Sequence, residues 1–289
     1  MLKELLTSQI IAHAFIGGAI VAVVAGCVGY FLVLRAQAFA AEAFTDIGFA
    51  GATGAALLGV ESLAGMIILS LLAAAGLGIL GNRVRGRDVE IGMVLCFALG
   101  LGVLFLSIYS RTSALHSLSG INILFGSMLT INSKDILLAF ASCATAVGAL
   151  SIVHRPLLFA SVDPAGAEAR GVPMRALSAA FLAILALTTA ACVLLVGILL
   201  TASLLIAPAA AAVNLTNRPG RAVALSVATA VGVTWLGLVL TFAGTIRHLP
   251  AGFYISALAA LTYGASLVLR KRFRTMRAFE YPHADRETG

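Results

Sequence analysis

The sequence predicts an all-α, polytopic membrane protein with about nine transmembrane helices plus a re-entrant outer helix. Three observations carry this. The 289 residues are 61% hydrophobic and 11% charged, whereas soluble domains run at about 45–50% and about 25%. A mean hydropathy of +1.05 leaves too little polar surface to wet a globular core. The apolar residues also fall in runs near the length of a bilayer crossing, with the positive charge gathered between them. Seven prolines, and 29 glycines with no three-residue period, exclude disorder and collagen-like repeats.

The first crossing is residues 10–34, about 37 Å of helix against about 30 Å of hydrocarbon, so it tilts or protrudes. Arg35 ends it, and a semi-polar stretch follows to residue 45. Residues 46–60 are short and rich in small side chains, and cross only if protein or a water-filled cavity shields them. Residues 62–80 and 91–108 are the third and fourth crossings, separated by a connection with three arginines. Within 109–135 the apolar part, 121–131, is too short to cross, and polar residues flank it; a re-entrant or surface helix fits. Residues 136–153 cross next, and 154–175 form a polar connection carrying Pro156, Pro164 and Pro173. Residues 177–196 and 198–213 are a pair around Gly197, the second kinked at Pro208. Crossings at 222–245 and 252–269 lead into a basic tail.

Nine crossings put the termini on opposite sides. Fifteen of the nineteen Lys and Arg residues then fall on one side, and only Lys3, Arg111, Lys134 and Arg247 on the other. Positive charge marks the cytoplasmic side. The expectation is therefore an external N-terminus (1–9), a single transmembrane domain (10–270) with 154–175 in the cytoplasm, and a cytoplasmic tail (271–289). A full crossing at 121–131 would destroy the bias. The net charge of +7, which in a soluble chain points to nucleic acid, here reports topology, and the expected surroundings are lipid. The first nine residues have no small-residue cleavage site, so no removable signal is expected. The four cysteines stand alone in apolar runs, as packing residues rather than disulfide or zinc partners.

Intramembrane carboxylates cost about 2.5–3.5 kcal/mol each on insertion scales and face a cavity or a partner. Glu42 and Asp46 are four residues apart, on one helical face, where two like charges repel unless a cation or proton sits between them. Paired oxygens suit a divalent cation, although two do not close a site. The plainer reading puts both at the cytoplasmic mouth, with Asp46 capping the second helix. Glu61 reads as an interfacial loop residue. The five histidines form no cluster, and His13 reads as a packing residue or a ligand lining the route. No nucleophile, zinc-protease or Walker motif occurs, so no catalytic residue or bound cofactor is expected.

Residues 154–175, HRPLLFASVDPAGAEARGVPMR, are too polar to cross and too apolar for a slack linker. Asp163 as N-cap and Pro164 at the first helical position start a short helix. Gly171 stops it in the left-handed conformation. Such a capped cytoplasmic helix suits the docking of a separate motor.

Phe31-Leu-Val-Leu-Arg35, Asp88-Val-Glu-Ile-Gly92, Ile123-Leu-Phe-Gly-Ser-Met-Leu129 and the run from Arg155 to Pro173, followed by Val196-Gly-Ile-Leu-Leu and Ile206-Ala-Pro-Ala-Ala, occur in the order of a known family. The chain resembles the membrane permease subunit of ATP-binding-cassette importers for zinc, manganese or iron, in the permease architecture shared with the cobalamin-like type. The resemblance implies a homodimer, two copies of an ATPase subunit that hydrolyse ATP on the cytoplasmic side, an external metal-binding protein, and a place in the inner (cytoplasmic) membrane. It further implies that Arg155, Asp163, Pro164, Glu168, Arg170 and Gly171 belong to the coupling segment and that 123–129 is the re-entrant helix. Where the family often reads GDALSHA this chain reads Ala41-Glu-Ala-Phe-Thr-Asp46. Glu42 keeps the acid, and Asp46 replaces the histidine with a hard oxygen, moving the expected cargo from zinc towards manganese or iron. The competing readings are a permease for metal chelates (siderophore, haem or cobalamin), a secondary transporter, for which no internal repeat is found, and an intramembrane serine protease, for which Ser203 and Ser226 lack the setting.

Overall fold

The computed structural model describes residues 9–80, 87–112, 133–216, 218–243 and 251–280. Ten helices follow one another along them: α1 (Gln9–Leu34), α2 (Ala38–Leu57), α3 (Ser62–Leu80), α4 (Arg87–Thr112), α5 (Ser133–Val162), α6 (Pro164–Ala169), α7 (Met174–Val196), α8 (Ile198–Leu215), α9 (Pro219–Ala243) and α10 (Ala251–Glu280). Six of these, α1, α4, α5, α7, α9 and α10, are each long and apolar enough to cross a bilayer. In α3 and α8 the apolar stretches are shorter, Ser62–Leu77 and Leu200–Leu215, and α2 carries two acids. Length and hydropathy thus support six crossings, and the expected nine is not established. The proposed re-entrant segment, 121–131, lies outside the described residues, as do His116, His248 and the end of the tail.

Three elements differ from the sequence expectation, one of them α10, which continues past residue 269 through the start of the basic tail to Glu280. Residues 38–45, expected as a connector, are the first two turns of α2, so Asp46 stands nine residues into a helix rather than at its start. The N-cap is Gln37, which makes no side-chain capping bond. Helix α5 does not stop at residue 153 but continues through Pro156 to Val162. A proline removes one ladder bond, and here the carbonyl left over belongs to Ile152, on the exposed face of the helix. Pro208 likewise lies inside a continuous α8.

Lipid tails are as apolar as leucine, so packing and interhelical hydrogen bonds, rather than water exclusion, hold such helices together. Small residues supply the close approaches. A Cβ at Gly29 would land on the Leu205 backbone, at Gly26 on Val227, and at Gly51 on Gly65. The Ser226 hydroxyl donates to the Gly26 carbonyl at 2.8 Å, joining α9 to α1 in the interior. The central walls are α1, α2, α7 and α8, with Phe44, Phe181, Leu182, Leu185, Leu204 and Leu205 fully buried. Outside them α4 shows Met93, Phe97 and Val103 to its surroundings.

These contacts also order the helix ends. Arg35 at the end of α1 meets Ser178 near the start of α7, Nη2 to Oγ at 2.7 Å. Gly29 near the end of α1 meets α8 at its middle, and Gly26 meets Val227 in the first half of α9 while Phe15 lies against Trp235 and Phe242 in the second, so α1 and α9 run antiparallel. Asn214 and Arg270, at the ends of α8 and α10, are joined at 2.8 Å. One end of the bundle therefore gathers Arg35, Arg175, Arg218, Arg221 and Arg270, as the charge asymmetry requires.

The α1–α2 connection is a Schellman turn: Gln37 N–H donates to Leu32 O at 3.0 Å and Ala36 N–H to Val33 O at 3.1 Å. Such turns place their hinge residue at positive φ, ordinarily a glycine; here it is Ala36, at φ 52°. The left-handed region costs an L-residue about 1–2 kcal/mol. Ala36→Gly should raise the unfolding midpoint of the purified chain in detergent, by up to about 1 kcal/mol of stability. Ala36→Val should lower it.

Candidate metal pathway and docking segment

Helix α2 is the polar strand of the bundle, and protein covers it. Fourteen of its residues are buried, and α4, α3, α7 and α8 pack along it. Asp46 is 4% exposed, and Glu42, one turn below on the same face, is half-buried. Asp46 lies about 12 Å along a helix of about 30 Å, near its middle.

The wall opposite these acids follows from glycine contacts. A Cβ at Gly102 of α4 would meet the Phe49 ring and the Ala50 Cα, and one at Gly54 would meet the Phe105 ring. The contacts climb together, so α4 runs parallel to α2. One turn back from Gly102, the small buried residue Ala98 stands level with Asp46. The nearby hydroxyls are already occupied: Thr45 Oγ1 donates to Ala41 O at 2.8 Å and Thr53 Oγ1 to Phe49 O at 2.9 Å. Among the described residues no three His, Cys, Asp or Glu side chains converge. One copy thus offers two carboxylates, fewer oxygens than a divalent ion requires.

His13 sits half-buried in α1 and His154 is exposed on α5, its ring nitrogen 2.6 Å from Ser151 O; neither joins the acids in a cluster. Glu61 is exposed between α2 and α3, as expected of a loop residue. Ser70 of α3 was not singled out from the sequence. Its hydroxyl is fully buried with no hydrogen-bond partner and faces α2 at Gly48. A lone serine in an apolar run is commonplace, so no signal marked it.

The short helix α6 forms as its capping residues dictate. Asp163 Oδ1 accepts from Gly166 N–H at 2.9 Å, and Pro164 occupies the first turn. At the other end Gly171 has φ 78°, with Val172 N–H donating to Ala167 O and Gly171 N–H to Glu168 O, both at 3.0 Å. Ala167 is fully buried and anchors the helix. Arg155, Asp163, Pro164, Glu168, Arg170 and Gly171 are all exposed. The Arg170 guanidinium lies 5.2 Å from the centre of the Phe159 ring, fastening α6 to the end of α5. The structure therefore presents a short, capped, largely exposed six-residue helix, with Glu168 as its one charged side chain, beside the basic end of the bundle.

The family model described as ABC 3 transport family matches residues 7–270. The chain belongs to that family. It is 27% identical over 271 residues to the manganese transport system membrane protein MntC of Listeria innocua, covering 93% of this chain and 89% of that one. It is 25% identical over 267 residues to a probable iron transport system membrane protein of Haemophilus influenzae, covering 89% and 96%. Among solved structures, PsaBC from Streptococcus pneumoniae in complex with Fab superposes with a TM-score of 0.82 at 26% identity, covering 96% of this chain and 98% of that one. The expected resemblance to metal permeases therefore holds, and this ABC 3 chain is a multi-pass membrane protein of a metal-transport permease family.

Asp163→Ala should cost α6 about 1 kcal/mol of local stability, read as faster amide exchange across residues 165–170 with the rest of the chain unchanged.

Proposed function

We propose that this chain is the permease through which a divalent transition metal, manganese or iron ahead of zinc, passes from an external binding protein into the cytoplasm. The observation that carries this reading is Asp46: a carboxylate 4% exposed, in the middle of a protein-sheathed helix, with Glu42 on the same face. A buried acid of this kind has to be matched by a cation or a proton. The relatives are named for manganese and iron transport, which supports a cation as the matching species. Oxygen ligands suit these harder ions. A second copy of the chain around a shared axis brings four carboxylates to the route, enough to attract a partly dehydrated ion yet release it. Protons compete for the same oxygens, so uptake weakens as pH falls through the carboxylate range.

The motor is separate. Two copies of an ATPase subunit dock on the exposed α6 and its flanks, Arg155 and Asp163 to Gly171, and ATP is hydrolysed there rather than by this chain. The membrane is the cell's inner membrane, with residues 1–9 outside and the basic tail in the cytoplasm. In this topology there are nine crossings, and 121–131 re-enters from outside.

Asp46→Asn removes the charge and retains the shape. It should leave the chain folded and the ATPase bound while lowering manganese uptake into vesicles at least tenfold; uptake equal to the parent for manganese, iron and zinc would assign the carboxylate a structural role. Asp46→His should move the preference towards zinc. Gly171→Val, strained at positive φ, should abolish metal-stimulated ATP hydrolysis with the permease still inserted. Cysteines introduced as His116→Cys and Lys134→Cys should both react with an impermeant thiol reagent from outside; labelling of one from the cytoplasm only would refute the topology.

A further inference from the structure

We propose that Arg35 is a positioning residue, a latch that carries movement of the docking segment to the carboxylates of α2; the proposal rests on the permease reading above. Arg35 is the last residue before the α1–α2 turn, and its part-buried side chain reaches across to α7. Nη2 donates to Ser178 Oγ at 2.7 Å, and the guanidinium carbon lies 5.5 Å from the centre of the Phe181 ring. Ser178 and Phe181 are three apart, so they present a hydroxyl and a ring from one face of α7. A planar guanidinium satisfies both at once, donating in its plane and stacking with its face, which an ammonium cannot do.

The latch joins two short, stiff connections. On one side, three residues separate α1 from α2, and the Schellman bonds of Gln37 and Ala36 hold them. Glu42 and Asp46 follow on the same helix, seven and eleven residues beyond Arg35. On the other side, residues 170–173 alone separate α6 from α7, and the Schellman bonds of Gly171 and Val172 close that turn. Ser178 is the fifth residue of α7. Displacement of α6 is therefore delivered to the first turns of α7 and, through Arg35, to the start of α2.

A second attachment lies higher up. Phe49 and Ala52 of α2 share a buried cluster with Ala190 and Val193 of α7. The two acids thus sit on the stretch of α2 between a polar latch below and an apolar contact above. Motion of α7 against a fixed upper contact swings or shifts that stretch, and a broken latch leaves the stretch behind.

The test uses the chain assembled with its ATPase subunits in proteoliposomes, with manganese as the probe and ATP hydrolysis read in parallel. Ser178→Ala and Arg35→Lys should keep hydrolysis within twofold of the parent and lower manganese taken up per ATP at least fivefold. The double variant should be no worse than either single one, because both remove one contact. Ser178→Thr, which retains the hydroxyl, should restore the ratio. Uptake per ATP within twofold of the parent in both single variants overturns the latch. So does a parallel fall of hydrolysis and uptake that follows the amount of folded complex, since that marks a merely structural contact. A parent complex that hydrolyses ATP without moving manganese, iron or zinc overturns the permease reading, and the latch with it.

Discussion

A carboxylate in the middle of an apolar bundle has to be walled in, and the packing around α2 follows from that constraint. Helix α2 carries two acids, and the other helices close around it. The walls reach it because facing positions are small. Gly51 and Gly65 bring α2 and α3 to backbone contact, and Gly102 admits the Phe49 ring on the opposite side. With no water-driven attraction between helices in lipid, close van der Waals fit supplies most of the association. The same small side chains that let the walls approach also leave the acids with few competing donors, because the nearby threonines have turned their hydroxyls back onto their own helix.

The basic end of the bundle is built on a different principle. Among the described residues, its connections at 35–37 and 170–173 are short and closed by backbone bonds, so the helices meet there through tight turns. Polar side chains complete the joints: Arg35 on Ser178, Arg270 on Asn214, and Arg170 over Phe159. A bundle tied at one end in this way transmits force well.

What could be read in the sequence was whatever local chemistry decides. The first helix, residues 62–80, the break at Gly197 and both caps of α6 were legible because each rests on an apolar run or on a capping residue in its usual place. The start of α2 was not. Its turn uses Ala36 where a glycine would have been the signal, and Gln37 makes no capping bond, so nothing local announces a helix at Ala38. The depth of Asp46 was misjudged for the same reason. Helix α5 ran past Pro156 because the carbonyl left over faces outwards, which the identity of the residue alone does not disclose. The acid pair and its shared face were visible; the enclosing wall of α4, the buried Ser70 and the link from Arg35 to Ser178 depend on contacts between segments far apart in the chain. The number of crossings stays open for a related reason: hydropathy counts what each helix does alone, and α2 does not stand alone.

That dependence has a consequence for how the chain is made. The insertion machinery admits a segment largely on its own hydrophobicity, and α2, with two acids and a run of glycine and alanine, is a poor client. The four residues between α2 and α3, and the contact of Gly51 with Gly65, let the two pair as a hairpin as soon as both are made. Until α4, and much later α7 and α8, have been synthesised, the acids have no complete shelter. Biogenesis therefore passes through an interval in which the most valuable helix is the least settled one. Quality control in the membrane has a specific feature to inspect there: the Asp46 carboxylate, which the finished fold buries.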